Sequence, residues 1–161
     1  MSIDPLLSAT IAIQLHVVCA VTAVCLGPIV LLRKSRDIWH RYLGYLWVCA
    51  MASTAVTSFW ISETPMIGPF GPIHALSILT LFGLWQALSA IRAGKFEAHQ
   101  AGMKTLYFWA MGVAGLFTFL PRRRMNLAVF GENATLGFIV MALLIGGGLA
   151  VYLVQTRTRE I

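Results

Sequence analysis

Four histidines are the residues of this chain best suited to chemistry, because their spacing repeats. His16 and His40 stand 24 positions apart, and His74 and His99 stand 25 apart. From His16 to Arg33, the first basic residue of the turn that follows, is 17 positions, and from His74 to Arg92 is 18. His40 comes four after Arg36, and His99 four after Lys95. Ala50-Met51 and Phe59 recur faintly as Ala110-Met111 and Phe119. Two copies of one helical hairpin, each with an early and a late histidine, account for this pattern.

The elements that must position these residues are membrane helices. Of the 161 residues 58% are hydrophobic and 11% charged, far from the balance of a soluble domain. A hydrocarbon core of about 30 Å takes roughly 20 helical residues to cross. Apolar runs of that order occupy about 8–32, 38–61, 72–91, 105–121 and 134–154. The sequence therefore predicts an all-α polytopic membrane protein, a single transmembrane domain over 1–161 with five transmembrane helices. The first run, preceded by Asp4 as its one charge, is expected to stay as a helix rather than to be cleaved as a signal peptide. It ends at Pro28 and the basic turn, and the fourth run stops at Pro121.

Charge sets the expected orientation. Arg33, Lys34, Arg36, Arg41, Arg92, Lys95, Lys104, Arg157 and Arg159 gather on one side, and Arg122, Arg123 and Arg124 on the other. The positive-inside trend then puts the N-terminus outside and the C-terminus inside. The net charge of +6 is thus spent in turns between spans, and no basic face with interleaved aromatics is left for nucleic acid. Cys19, Cys25 and Cys49 lie in apolar runs without a Cys-x-x-Cys, so neither a disulfide framework nor covalent haem attachment is indicated.

Repeat halves at about 8–62 and 71–121 share one orientation, so a pseudo-two-fold axis along the membrane normal relates them, with the fifth helix, about 134–155, outside the four-helix core. That axis brings His16 opposite His74 and His40 opposite His99. By helical rise the first pair sits roughly 25 Å above the inner turns and the second roughly 6 Å. Two neutral imidazoles facing across a bundle core suit the iron of a non-covalent b-type haem. The expectation is two haems b, an outer one on His16 and His74 and an inner one on His40 and His99, passing electrons across the bilayer. One mismatch stands in the way: from the outer side His16 is about eight residues deep and His74 about three. A dip of Gly68-Pro69-Phe70-Gly71 into the membrane would remove it, given protein cover for its backbone.

Taken singly, each histidine has a plainer reading. His40 and His99 lie beside Arg41 and Gln100 near an interface, and His74 could cap its helix start. Ala20, Ala23 and Gly27 share a helical face with His16, which suits a flat ligand or simple helix packing. Arg122, Arg123 and Arg124 could neutralise outer haem propionates, draw a small anionic redox donor, or bind lipid phosphate. Lys104 could meet an inner propionate or snorkel to the interface. Tyr42, Tyr45, Trp47, Trp60 and Trp109 fit interfacial belts or bundle packing as well as a quinone pocket. The six acidic residues lie at or beyond the edges of the runs, which argues against a carboxylate-based enzyme or proton transporter. The alternative to an electron carrier is a haem-free accessory or scaffold subunit, docked to a respiratory complex or paired as a homodimer, whose histidines bind a transition metal or nothing.

The elements His40-Arg41-x-x-Gly44, Ser58-Phe59-x-Ile61, Phe70-x-Pro72-Ile73-His74-x-Leu76-Ser77, His99-x-x-x-Met103-x-x-x-Tyr107 and Ala114-Gly115-Leu116-Phe117-Thr118-x-x-Pro121 resemble bacterial membrane proteins grouped as domain of unknown function 2306. The resemblance covers roughly residues 10–125, and it implies a multi-pass protein of the bacterial inner membrane while leaving the activity open. Pro121-Arg122-Arg123-Arg124 departs from the Pro-Gly-Arg usual there. The shared axial histidines on alternate helices are also similar in architecture to the two-haem cytochrome b-561 superfamily, with the four histidines alone carrying that likeness.

Overall fold

The structure, a computed structural model, describes residues 4–61, 68, 70–120, 123–131 and 133–157. These are helical, with no strand among the described residues: α1 (Asp4–Leu7), α2 (Ile11–Leu32), α3 (Ile38–Thr57) with a 3-10 turn at Ser58–Trp60, α4 (Pro72–Arg92), α5 (Phe96–Leu106) with a π turn at Tyr107–Met111, α6 (Gly112–Thr118), α7 (Arg124–Phe130) and α8 (Ala134–Arg157). They fall into two compact units, Ala9–Met111 and Met1–Ser8 with Gly112–Ile161.

The first unit holds all four histidines. Its helices close a ring: α2 packs on α3, α3 on α4, α4 on α5, and α5 with its π turn returns to α2. Thus α2 faces α4, and α3 faces α5, across the diagonals of a four-helix bundle. The core contains Ala23, Val30, Trp47, Ala50, Met51, Leu84, Ala87, Met103 and Ala110. Val18, Val21, Ile78, Leu79, Phe82 and Trp85 point outward. Large apolar groups face outward, while inside, small or hydroxyl-bearing residues such as Ala23, Ala50, Ala87, Thr54, Ser77 and Thr80 let the helices approach around Trp47, Met51, Leu84 and Met103. A Cβ at Gly102 would lie 3.1 Å from the Ala87 side chain and one at Gly83 2.6 Å from the Leu106 side chain, so both glycines leave room for the close approach of α4 and α5.

One departure from the sequence expectation organises this unit. Pro28 does not end the first run, since α2 continues through it to Leu32. Proline has no N–H, so the carbonyl four residues back, that of Val24, loses its helical partner. The Tyr107 hydroxyl supplies one, donating to Val24 O at 3.0 Å. Beside it, the Trp47 indole donates to Ala23 O, also at 3.0 Å. Gly27 admits the Tyr107 ring, which would overlap any Cβ there. The two rings lie 6.4 Å apart at their centroids. The small face below His16 is therefore largely occupied, with Ala23 and Gly27 buried under Trp47 and Tyr107. Trp47 is a core residue, while Tyr42, Tyr45, Trp60 and Trp109 are exposed.

Three helices are long and apolar enough to cross a membrane, Ile11–Leu32, Ile38–Trp60 and Pro72–Arg92. A fourth crossing results if α7 and the stretch Thr135–Gly148, bent by 100°, count as one span. The five uninterrupted spans expected are thus not found as such among the described residues. The fourth run is divided, because α5 passes into the π turn at Tyr107 before α6 begins. A π turn carries an extra residue and re-aims the side chains that follow it. Pro121, Arg122, residues 62–67 and Pro69, the last within the stretch expected to dip into the membrane, lie outside the described residues.

The second unit is built on α7 and α8. Asn126, fully buried, donates from Nδ2 to Phe119 O at 2.5 Å, and Phe119 meets Phe130 edge-on at 6.1 Å. Gly131, at φ +58°, lies where the chain bends between α7 and α8, a conformation that favours glycine.

The Tyr107 bond yields a test. Tyr107→Phe leaves the Val24 carbonyl without a partner and lowers stability by about 1 kcal/mol. Gly27→Ala drives a methyl into the ring and costs about 1–3 kcal/mol. Thermal unfolding in lipid nanodiscs should rank wild type above Tyr107→Phe, and Gly27→Ala lowest.

Candidate functional site

Helix α3 is a common ruler for the four histidines. At its far end Thr57 Oγ1 lies 3.1 Å from His16 Nδ1. Two residues on, the Phe59 ring packs against His74 with centroids 5.5 Å apart. His16 and His74 therefore belong to one end of the bundle and differ in level by only about 3–4 Å of rise. On this ruler the depth mismatch read from the sequence, about 7–8 Å of helical rise, is roughly halved and not removed. At the near end, His40 lies in the first turn of α3 and His99 in the first turn of α5. About 25 Å of helix separates His40 from Thr57. The structure thus brings the predicted pairs to opposite ends, each pair on a diagonal of the bundle.

Hydrogen bonds decide what each ring can do. Thr57 has one hydroxyl hydrogen and points it at Ser53 O, 2.7 Å away, so its oxygen accepts from His16 Nδ1–H. The His99 Nδ1 lies 2.9 Å from Ala87 O, and a carbonyl can only accept. Both rings therefore carry hydrogen on Nδ1 and a lone pair on Nε2, the arrangement a metal-binding histidine takes when a neighbour holds its other nitrogen. His40 Nδ1 is buried with no partner, so no neighbour opposes ligation there.

His74 is reversed. It is 4% exposed, and its Nδ1 accepts the Gly71 N–H at 2.9 Å while the His74 backbone N–H donates to Gly71 O at 3.0 Å. The helix-capping role is real. A neutral ring that accepts at Nδ1 carries its hydrogen on Nε2, and that nitrogen is buried without a partner. Iron needs a lone pair at that position, so His74 as placed does not fit as an axial ligand.

Around His74 the α3–α4 seam is polar. Ser58 Oγ and Ser77 Oγ are 2.7 Å apart, and each also approaches a carbonyl of its own helix, Ala55 O at 2.8 Å and Ile73 O at 3.0 Å. Two hydroxyl hydrogens cannot fill three contacts, so one serine donates across the seam and the other to its own helix. No sequence spacing announced this pair or Thr57; the Ser58-Phe59 and Ser77 positions of the family pattern were their only trace.

At the near end, Asp37 caps α3 by accepting the His40 N–H at 3.0 Å and is paired with Arg33, whose Nε donates to Oδ1 at 3.0 Å. The Arg33 hydrogen bonds, and then the His40 amide, hold the Asp37 carboxyl down at about 2. Lys104 is half-buried on α5, five residues beyond His99. Arg123 and Arg124 belong to the second unit, and Arg122 lies outside the described residues. Among the described residues no group of three or more His, Cys, Asp or Glu side chains is arranged to hold a bare metal ion.

Two comparisons with known proteins return no match, neither among curated proteins nor among solved structures. Neither comparison supports the likeness to the cytochrome b-561 superfamily. A family model described as "Predicted membrane protein (DUF2306)" matches residues 13–154.

The Asp37 cap gives a pH prediction. The folded carboxyl titrates at about 2 and the unfolded one near 3.9, so the cap contributes fully above pH ~4 and is lost as pH falls through about 2. Amide exchange at His40 in detergent should stay slow relative to Asp37→Ala at pH 5 and converge with it towards pH 2. A His40 amide indifferent to Asp37→Ala at pH 5 would remove the cap from the account.

Proposed function

We propose, for a chain that belongs to the DUF2306 family of predicted membrane proteins, that it carries electrons across a bacterial inner membrane as a b-type cytochrome. The observation that supports this most is the placement of two histidine pairs on the two diagonals of one bundle, at opposite ends of α3. Unligated imidazoles in that setting carry a desolvation cost that ligation relieves.

His40 and His99 are the pair suited to hold haem iron. His99 is fixed by Ala87 with its Nε2 lone pair free, and His40 has a buried ring nitrogen that no protein group claims. A haem bound there supplies a one-electron iron couple. The positive-inside trend makes this the inner end, since Arg33, Lys34, Arg36, Arg92 and Lys95 surround it in the chain. Lys104 is then a candidate propionate partner. His16, held by Thr57, is prepared as a ligand at the outer end in the same manner. A second haem between His16 and His74 would complete the arrangement suggested by the repeat, but it requires the Gly71 cap to open and the His74 hydrogen to move to Nδ1.

The test is the visible spectrum of the chain purified after haem-sufficient expression, oxidised and reduced. Reduced alpha and Soret bands of a six-coordinate b haem are expected, and His40→Ala and His99→Ala should each abolish them. Absence of both bands in the wild type would favour the haem-free accessory subunit instead.

A further inference from the structure

We infer that the outer end of the bundle is a donor site, in which His74 offers Nε2–H to the carbonyl oxygen of a neutral quinone-type molecule rather than a lone pair to iron. The donor follows from hydrogen bonding alone. Gly71 N–H occupies the His74 Nδ1 lone pair at 2.9 Å, so the ring cannot be doubly protonated and its one hydrogen sits on Nε2. His16 and His99 have the opposite sense, since both give Nδ1–H away. A side chain 4% exposed whose remaining N–H has no partner among the described residues lacks an acceptor. A carbonyl oxygen provides one without adding charge.

The surroundings select the kind of acceptor. Phe59 and Phe70 flank the imidazole with centroids 5.5 and 5.4 Å away, Phe70 edge-on at 87°. Ser77, one turn further along α4, is linked to Ser58. Aromatic walls with one directed donor are the usual recognition pattern for a flat, largely apolar ring bearing a carbonyl. An anion such as superoxide or ascorbate calls for cationic side chains, and Phe59, Phe70, Ser58 and Ser77 offer none. Phe70 is 53% exposed and next to Gly71, so it is the side chain a ligand displaces to reach Nε2. The choice of a redox-active carbonyl rests on the electron-carrier reading; the donor does not.

The experiment uses the full chain in nanodiscs with a short-chain benzoquinone as probe. Imidazole nitrogen shifts should show His74 protonated at Nε2 and bare at Nδ1, with the Nε2 signal moving as benzoquinone is added. Benzoquinone should bind about tenfold more weakly to His74→Ala, and His74→Gln, which keeps an N–H donor, should recover most of that loss. The chain should hold one haem, retained in His74→Ala. Two haems with His74→Ala losing one, a His74 signal protonated at Nδ1, or benzoquinone binding indifferent to His74→Ala would each overturn the inference. A chain without haem would sink the cytochrome reading, while the nitrogen shifts and the binding series would still decide the donor site.

Discussion

A carbonyl that a proline has robbed of its helical partner is the constraint on which the bundle depends. Pro28 lies inside α2, so Val24 O must find a donor elsewhere or face lipid unpaired. Its donor comes from the Tyr107 hydroxyl, 83 residues away in sequence. For the hydroxyl to reach, the ring must lie where Gly27 has no side chain, at the point where α5 gives way to the π turn. Trp47 then fills the space beside the ring and ties α3 to Ala23. One missing N–H thus fixes the approach of α2, α3 and α5.

That lock lies between the two histidine pairs. By helical rise Trp47 is about 10 Å beyond His40 along α3, and Tyr107 about 12 Å beyond His99. The two ends of the bundle are separated by a packed aromatic layer.

Much of this was legible in the sequence and some was not, for physical reasons. The first three long helices show as apolar runs, because length and hydrophobicity are additive along the chain. The histidine repeat assigned one histidine to each of four helices, and the structure has one on each of α2, α3, α4 and α5. What it could not show was the direction of each hydrogen bond: Gly71 and His74 are three apart, a spacing as suited to capping as to presenting a ligand, and only the bond to Nδ1 decides between them. Pro28 read as a stop because a lone helix would stop there. That it does not depends on Tyr107, which no local pattern connects to it. The fourth run failed as one uninterrupted span for the same reason, since hydropathy does not register a π turn. Trp47 could have been identified as core by its place on the face shared with Ala50, Met51, Thr54 and Ser58.

The Val24–Tyr107 bond also bears on how the molecule is made. Ribosomes deliver α2 and α3 to the bilayer long before residue 107 has been synthesised. Through that interval the first hairpin carries an open acceptor at membrane depth, with Trp47 able to serve only the neighbouring carbonyl. The nascent hairpin therefore has reason to stay beside water, lipid headgroups or the insertion machinery until the second hairpin arrives. The acceptor that the proline left vacant is filled only once the second hairpin, which carries Tyr107, is in place.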